Sequence, residues 1–509
     1  MRIAAFDLGT NSFHLLVVDA HPDGTFAPLV REKEMLRLGD DVSREGRVSQ
    51  GSIRRAVTTV GRFRTLAEGV DSDDIVANAT SAIREAENGG EVVDRIEAEA
   101  GVRVSVISGR EEARLIFEAI RASVVIDPGP ALCFDLGGGS LEVMVGDGAG
   151  LQWASSVKLG AARLSAELVA GDPPSNDDIR RLRERITSAL APLADEVAPL
   201  RPTLAVGTSG TFMALARMVA AGRRGGIPVS VNQFTFGRDE FLAVHEHHMK
   251  LPAAERAKLP GLDARRADIV PAGSLLLATA MELFGFDELT VSEWALREGM
   301  VLDSIKRHDV ADWSGDPRAI RRSSVLRLAR GCNWDEGHSR QVTRLALDLY
   351  DRTATLHGLS SSDRELLEYA SLLHDIGEHV ATESHHKHTA YLVQHGRLRG
   401  FSPAEVAEVA ALARYHRGGD PRPSSDGMAG VVAERRDTVS RLAALLRVAD
   451  GLDRGRAAAV GDIDVAVDAS RVRVHVGSQS DIDVDLWGGR RKRALFERLF
   501  DRRLEIVRD

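Results

Sequence analysis

One tetrapeptide occurs twice, and it constrains the fold more than any other feature of the chain. Phe6-Asp7-Leu8-Gly9 returns as Phe134-Asp135-Leu136-Gly137. Each copy closes an apolar run, Arg2–Phe6 or Ala131–Asp135. A small polar turn and a second apolar run follow, His14–Asp19 or Leu141–Gly146. Two apolar runs around a polar turn are the signal of a β-hairpin. The unit recurs in the same context, which predicts two related half-domains. Two halves of one α/β architecture commonly hold a ligand between them. Ile75–Asn78 and Val104–Ile107 read as short buried strands, followed by helical patterns at Ser81–Asn88 and Arg110–Arg121. Thr203–Gly207 leads into a helix from Ser209.

At roughly 150 residues per domain, 509 residues make three or four domains. Strand and helix alternate over residues 1–306. Asp309–Pro317, with Gly315 and Pro317, reads as a linker. From Arg318 the pattern is helical, near Ser339–His357, Asp363–His374, Pro403–Tyr415 and Val439–Arg454, with a loop at Gly418–Gly427. Alternation at 463–467 and 472–476 predicts half-exposed strands, followed by a basic amphipathic helix over Gly489–Arg503. The expected domains are 1–123, 124–308, 318–460 and 461–509.

Composition removes several function classes. The net charge is −9, so there is no global nucleic-acid signature, and a polyanionic substrate needs a local positive site. Cys133 and Cys332 make neither a disulfide framework nor a thiolate metal cluster, which fits a reducing compartment. Met1-Arg2-Ile3 runs straight into a strand and does not read as a signal peptide. The longest apolar stretch, Ile269–Phe284, carries Pro271, Ser274 and Glu282 and falls short of a membrane span. A soluble cytoplasmic protein is expected.

Three glycine turns sit at strand ends: Asp7 to Ser12, Asp135 to Ser140, and Gly207 to Thr211. In such turns Gly9, Gly137, Gly138, Gly139, Gly207 and Gly210 let main-chain N–H groups approach an anion. Thr10, Asn11, Ser12, Ser140, Thr208 and Ser209 add side-chain donors. Asp7 and Asp135 can hold Mg²⁺ directly or through water. The third turn opens a helix, whose N-terminus favours an anion. In the helix after Gly109, the stripe Ala113, Ile116, Phe117, Ile120 leaves Glu111 pointing outward. Glu112 falls at the buried edge, where partial desolvation makes a carboxylate a better base. Thr80 or Ser81 can cap a helix that places Arg84 near a strand end, where it can clamp phosphate.

These segments resemble the exopolyphosphatase / guanosine-pentaphosphate phosphatase family (Ppx/GppA type), of the actin, sugar-kinase and heat-shock ATPase superfamily. The matching segments are Phe6 to His14, Ala79 to Ala86, Ser108 to Leu115, Asp135 to Ser140, Gly207 to Thr211 and Leu296 to Gly299. The resemblance implies a duplicated α/β actin-like (ribonuclease H-like) domain and hydrolysis of a terminal phosphoanhydride in its cleft. It makes Glu112 the base that activates water. Asp135 and Glu142, with Asp7, would organise Mg²⁺ and water. Gly137–Ser140 and Gly207–Gly210 would cradle phosphates that Arg84 clamps. Where the family often has Thr, Leu141 stands, so one hydroxyl is lost. Inorganic polyphosphate is the expected substrate and guanosine pentaphosphate the alternative, with no nucleic acid or membrane partner, in a homodimer.

The helical region has a second constellation. His374 ends one apolar stripe. Asp450 ends another, Val439, Leu442, Ala443, Leu446. A buried carboxylate is costly unless paired or metal-bound. An Arg partner such as Arg447 or Arg454 is one solution, and a divalent metal on His338, His374, Asp375 and Asp450 is another. His385, His386, His388 and His416 are further candidates. The pattern resembles an all-α HD phosphohydrolase domain, here followed by a small α+β C-terminal domain. That resemblance implies a second divalent metal and a nucleotide phosphohydrolase as an alternative activity. Arg321-Arg322, Arg417 and Arg490-Arg491-Lys492-Arg493 are candidates for tracking a long polyanion.

Overall fold

The computed structural model describes residues 1–21, 25–223, 226–308 and 317–508. They form two compact units, Met1–Ile320 and Arg321–Asp509. The linker read at Asp309–Pro317 lies, but for Pro317, outside the described residues.

The first unit carries the duplication as a topology. Its first sheet is built of β1 (Arg2–Leu8), β2 (Ser12–Ala20), β3 (Phe26–Met35), β4 (Asp74–Ala79) and β5 (Ser105–Val106), in the order β3-β2-β1-β4-β5. The second is built of β6 (Ala131–Leu136), β7 (Leu141–Asp147), β8 (Gly150–Val157), β9 (Leu204–Thr208), β10 (Phe234–Gly237) and β11 (Glu288–Val291), in the order β10-β11-β9-β6-β7-β8. In each, a three-strand antiparallel meander is followed by a crossover to a strand parallel to the first, β4 on β1 and β9 on β6. The echoed aspartates take equivalent places, with Asp7 opposite His14 and Asp135 opposite Glu142.

The predicted hairpins and the Gly109–Ser123 helix are present. Ser108 caps that helix by accepting a hydrogen bond from the Glu111 N–H. Its stripe Ala113, Ile116, Phe117, Ile120 is fully buried. The stripe enters a core to which both sheets contribute, Ile3, Ala5 and Leu16 from the first and Ala131, Cys133 and Met144 from the second. Ile269–Phe284 becomes the buried Val270–Phe284 helix. Among the described residues no helix is long and apolar enough to cross a membrane.

Three expectations fail locally. The segment Val104–Ile107 yields only the two exposed residues of β5 at a sheet edge. The helix expected over Ser81–Asn88 stops at Glu85, because the Asn88 amide is taken by the main chain of Val48 and a new helix starts at Gly89. Neither expected cap is used: Thr80 makes no capping bond and the Ser81 hydroxyl donates to Glu85, while Thr10 Oγ1 accepts from the Ala82 N–H at 3.2 Å.

In the second unit the helices Glu336–Arg352, Ser361–Leu373, Pro403–Tyr415 and Arg436–Gly451 pack around one core. Val439, Leu442, Ala443 and Leu446 are fully buried, as their spacing requires. A capping box joins Ser360 to Asp363, and another joins Ser402 to Glu405. The sheet β12 (Ile463–Val467), β13 (Arg471–Val476) and β14 (Arg503–Arg508) completes the unit. The single basic helix expected over Gly489–Arg503 is instead two, Asp483–Lys492 and Ala494–Phe500, ahead of β14. Gly488 seats the first of these so closely on Gly451 that a Cβ would meet the Gly451 carbonyl oxygen at 2.2 Å. Leu504 and Ile506 alternate inward from β14, which runs parallel to β13.

Candidate active site

Between the two duplicated halves lies a cleft of about 370 Å³. Its floor is acidic. Asp7 closes β1, Asp135 closes β6, Glu142 faces it from β7, and Glu112 enters from the first turn of the Gly109–Ser123 helix. Burial pushes Asp7, Asp135 and Glu112 each up to about 7, and Glu142 well above the usual carboxylate range. Arg84 partly offsets this at Glu112, while Asp135 adds to it. Arg84 Nη1 donates to Glu112 Oε2 at 3.0 Å and to the Ile107 carbonyl at 2.7 Å. The Ser156 hydroxyl donates to Glu142 at 2.7 Å. Glu111, by contrast, faces outward and pairs with Arg114.

The two echoed turns meet. A Cβ on Gly138 would lie 2.9 Å from Asn11 Cβ, and one on Gly139 would lie 2.6 Å from Thr10 Oγ1. Only glycine permits that approach, so the turns present their main chain to the cleft together. Ser209 opens its helix at φ +74°, with its hydroxyl donating to the Leu136 carbonyl, so the third turn is tied to the second.

Cations line the same cleft, Arg31, Lys33, Arg266 and Arg297, the last near enough to Asp7 and Asp135 to lower their proton affinity. Burial, with Arg266 and Arg265 nearby, pushes Lys33 down to about 8. Cations gathered at such a cost suit a ligand carrying several negative charges. Arg297 also fixes a tautomer. Its Nη1 donates to His14 Nδ1 at 3.3 Å, so His14 donates from Nε2 to Ser12 Oγ at 2.7 Å. The Ser12 hydroxyl proton is thereby free to point at a ligand.

Not every expected residue reaches the cleft. Gly9, Thr10, Asn11, Ser12, Gly137, Gly138, Gly139, Ser140, Ser209 and Gly210 line it. Gly207 packs against Phe212, and Thr208 is fully buried with its hydroxyl spent on the Ser292 and Trp294 carbonyls. Arg84 stands behind Glu112 instead of lining the cavity. Arg266, brought in beside Gly210, had no sequence signal. His14 and Arg297 lay inside recognisable motifs, where their polar character could have marked them.

The fit of the floor to a cation follows from its chemistry. Asp135 Oδ1 is buried without a hydrogen-bond partner among the described residues. A buried carboxylate oxygen left over in this way suits Mg²⁺, which takes one or two carboxylates together with waters and substrate phosphate.

In the second unit, His338, His374, Asp375 and Asp450 do come together, joined by His385 and His416. His386 and His388 stay outside both groups. Asp450 is neutralised by Lys492 at 3.0 Å; neither Arg447 nor Arg454 takes that place. Arg447 donates to the Tyr415 carbonyl and to Asp420. Arg456 pairs with Asp375 at 2.6 Å. The candidate polyanion track is partly consumed. Arg321 is buried against Glu405, Arg322 pairs with Glu368, and Arg490 donates to the Ile506 carbonyl.

Residues 17–308 match the Ppx/GppA phosphatase family, and residues 320–481 match domain III of Ppx/GppA phosphatases. Exopolyphosphatase 1 of Mycobacterium leprae is 34% identical over 331 residues, covering 64% of this chain and 94% of that protein. Its counterpart in Mycobacterium tuberculosis is 35% identical over 328 residues, covering 64% and 93%. Among solved structures, an exopolyphosphatase from Cytophaga hutchinsonii superposes with a TM-score of 0.57 at 31% identity, covering 60% of this chain and 98% of that one. The Ppx/GppA family member from Aquifex aeolicus gives 0.53 at 27% identity, covering 61% and 99%.

Proposed function

Because the chain belongs to the Ppx/GppA phosphatase family, we propose that its cleft is that of an exopolyphosphatase, a phosphoanhydride hydrolase that removes the terminal phosphate of inorganic polyphosphate. The observation that carries this reading is Glu112. It is a buried carboxylate pushed up to about 7, set beside other acidic groups in a cleft that several cations also line. A base poised near the working pH is the more efficient proton acceptor.

The main chain of Gly137–Ser140 and the hydroxyls of Thr10 and Ser12 hold the terminal phosphate, and the cations hold the negative charge behind it. Glu112 accepts a proton from the attacking water. The water oxygen bonds to phosphorus, the bond to the bridging oxygen breaks, and orthophosphate and a shortened chain result. Asp7 and Asp135, with Glu142 near them, would hold Mg²⁺. When bound, the ion offsets charge on the phosphate oxygens. Arg84 acts from behind, restraining the proton affinity of Glu112.

The reading extends to the rest of the chain. It divides residues 1–308 at 123/124 into two actin-like subdomains, and the second unit at 460/461 into an HD-like helical domain and a small α+β domain. In the helical domain, His338, His374, Asp375 and Asp450 hold one divalent ion. The protein acts in the cytoplasm as a homodimer, without nucleic acid. The deciding experiment measures phosphate release from long-chain polyphosphate, tripolyphosphate and guanosine pentaphosphate side by side. Fastest turnover is expected on long chains; release from guanosine pentaphosphate alone would replace this substrate.

A further inference from the structure

A planar trans peptide carries its C=O and the next residue's N–H on opposite edges. Whatever holds the carbonyl from one side therefore aims the N–H at the other. The turn Gly137–Ser140 is held in this way from behind. The Ala161 N–H donates to the Gly137 carbonyl at 3.0 Å, and the Arg163 N–H donates to the Gly138 carbonyl at 3.0 Å. Both belong to the first turn of the Ala161–Leu168 helix, where N–H groups have no partner inside the helix and no side chain provides a cap. The third carbonyl, that of Gly139, accepts from a side chain, Arg163 Nε at 2.9 Å. Gly137, Gly138, Gly139 and Ser140 line the cleft. With their carbonyls drawn back, the N–H groups of Gly138, Gly139 and Ser140 face it.

The first half repeats the device. The Gly39 N–H donates to the Thr10 carbonyl at 3.0 Å, and the Leu36 and Arg37 N–H groups donate to the Asn11 carbonyl at 3.1 and 2.9 Å. There the donors are main-chain groups. In the second half one of the three is a side chain, which a substitution can remove.

Arg163 is itself fixed. Its side chain is 13% exposed, and Nη2 donates to Glu85 Oε2 at 3.0 Å. Glu85 comes from the other half, at the end of the Ser81–Glu85 helix. The Ser81 hydroxyl donates to Glu85 Oε1 at 2.7 Å, and Lys158 Nζ lies 2.8 Å from Oε2. Burial raises the proton affinity of Glu85, but Lys158, Ser81 and Arg163 outweigh it and hold the carboxyl below the usual range. A charge-assisted bond of this kind fixes the plane of a guanidinium. The neighbouring residue, Arg84, holds Glu112. One short helix thus bears on both reacting partners, on the base through Arg84 and on the phosphate turn through Glu85.

We propose that Arg163, fixed by Glu85, is a positioning residue for hydrolysis, which aims the Ser140 N–H at the terminal phosphate by holding the Gly139 carbonyl away from it. The inference rests on the reading of the cleft as the phosphate-releasing site and adds two residues to it. Without Arg163 the Gly139–Ser140 peptide can turn over, since glycine offers no steric resistance. A carbonyl oxygen would then face the anion where a donor stood. A donor aimed at charge that develops on the transferred group acts on kcat. Binding of the polyanion, left to Lys33, Arg266 and their neighbours, is retained.

The full chain is assayed with Mg²⁺ on whichever of long-chain polyphosphate, tripolyphosphate and guanosine pentaphosphate the parent turns over, so that the choice of substrate and the role of Arg163 fail separately. Arg163→Ala should lower kcat about 10²-fold and leave KM within about threefold of the parent. A parent-like kcat, or a loss confined to KM, overturns the proposal. The rising limb of kcat/KM with pH should stay in place, because Glu112 keeps Arg84; a displaced limb would trace the loss to the base and overturn it too. Glu85→Gln should lower kcat about 10-fold and add nothing in the Arg163→Ala background; additive losses overturn the link between the two. Glu167 lies 3.6 Å from Nη1 on the outer side of the same guanidinium. Glu167→Gln should keep the parent rate, and a loss equal to that of Glu85→Gln overturns the assignment to Glu85. Should circular dichroism show Arg163→Ala unfolded, Arg163→Lys takes its place, since one ammonium cannot span Gly139 and Glu85 as the fork does. The same lowering of kcat with KM kept is expected, and a parent-like kcat overturns the proposal.

Discussion

Arg84 Nη1 and Glu112 Oε2 stand 3.0 Å apart on the inner side of the cleft, the arginine from the Ser81–Glu85 helix and the carboxylate from the Gly109–Ser123 helix. Burial raises the proton affinity of this carboxylate and the guanidinium lowers it. Their balance leaves a base that titrates close to neutrality.

Glu112→Gln keeps size and removes basicity. Phosphate release from polyphosphate should fall by about 10²–10⁴, while Glu111→Gln, which disturbs only an outward pair with Arg114, stays near the parent. Equal losses in the two variants, with folding confirmed by circular dichroism, would remove Glu112 from this role.

The pH profile follows from the same pair. Glu112 acts deprotonated, so kcat/KM should rise with pH through about 7 in the free enzyme. In Arg84→Gln the lowering influence is gone and the rising limb should move to higher pH. A limb that stays in place or moves down contradicts the coupling.

Stability should also respond to pH. Asp7 and Asp135 titrate near 7 in the folded chain against 3.8 ordinarily. Between those values the folded state binds protons that the unfolded state has released, so stability falls as pH rises. With chelator present, Asp135→Asn should melt higher than the parent at about pH 8 and show a flatter dependence of Tm on pH. Mg²⁺ should raise the Tm of the parent more than that of the variant. Parallel Tm curves would show that Asp135 is not under this stress.

Gly160, outside every motif, supports the phosphate turn. A Cβ there would lie 2.2 Å from the Gly138 carbonyl oxygen and 2.3 Å from Gly139 N, and main chain cannot step aside as a side chain can. Gly160→Ala should therefore lower kcat/KM by up to ~10²-fold through displacement of the turn. Gly222→Ala, where a Cβ meets nothing within 4 Å, is the control.

Much of this site was legible because its signals are local. The echoed Asp7 and Asp135 turns are contiguous words, and the stripe Ala113, Ile116, Phe117, Ile120 fixes which side of its helix Glu112 takes. The misses are long-range. Arg266 arrives from a segment with no periodicity, and Gly160 matters only because Gly138 folds back upon it. Lys492 belonged to what read as one basic helix, with no hint that its partner would be Asp450. Thr208 was misplaced for the opposite reason: its motif is intact, but β9 ends one residue later than the turn suggested, which sends the hydroxyl inward to the Ser292 and Trp294 carbonyls. Sequence also gave no warning that Asn88 would be captured by Val48 and cut a helix short.

The Gly109–Ser123 helix sinks its apolar stripe into a core to which both sheets of the first unit contribute. The carboxylate at its start is therefore seated by the far end of its own helix: the residues that hold Glu112 within electrostatic reach of Asp135 and Glu142 are apolar ones up to two turns away from the chemistry.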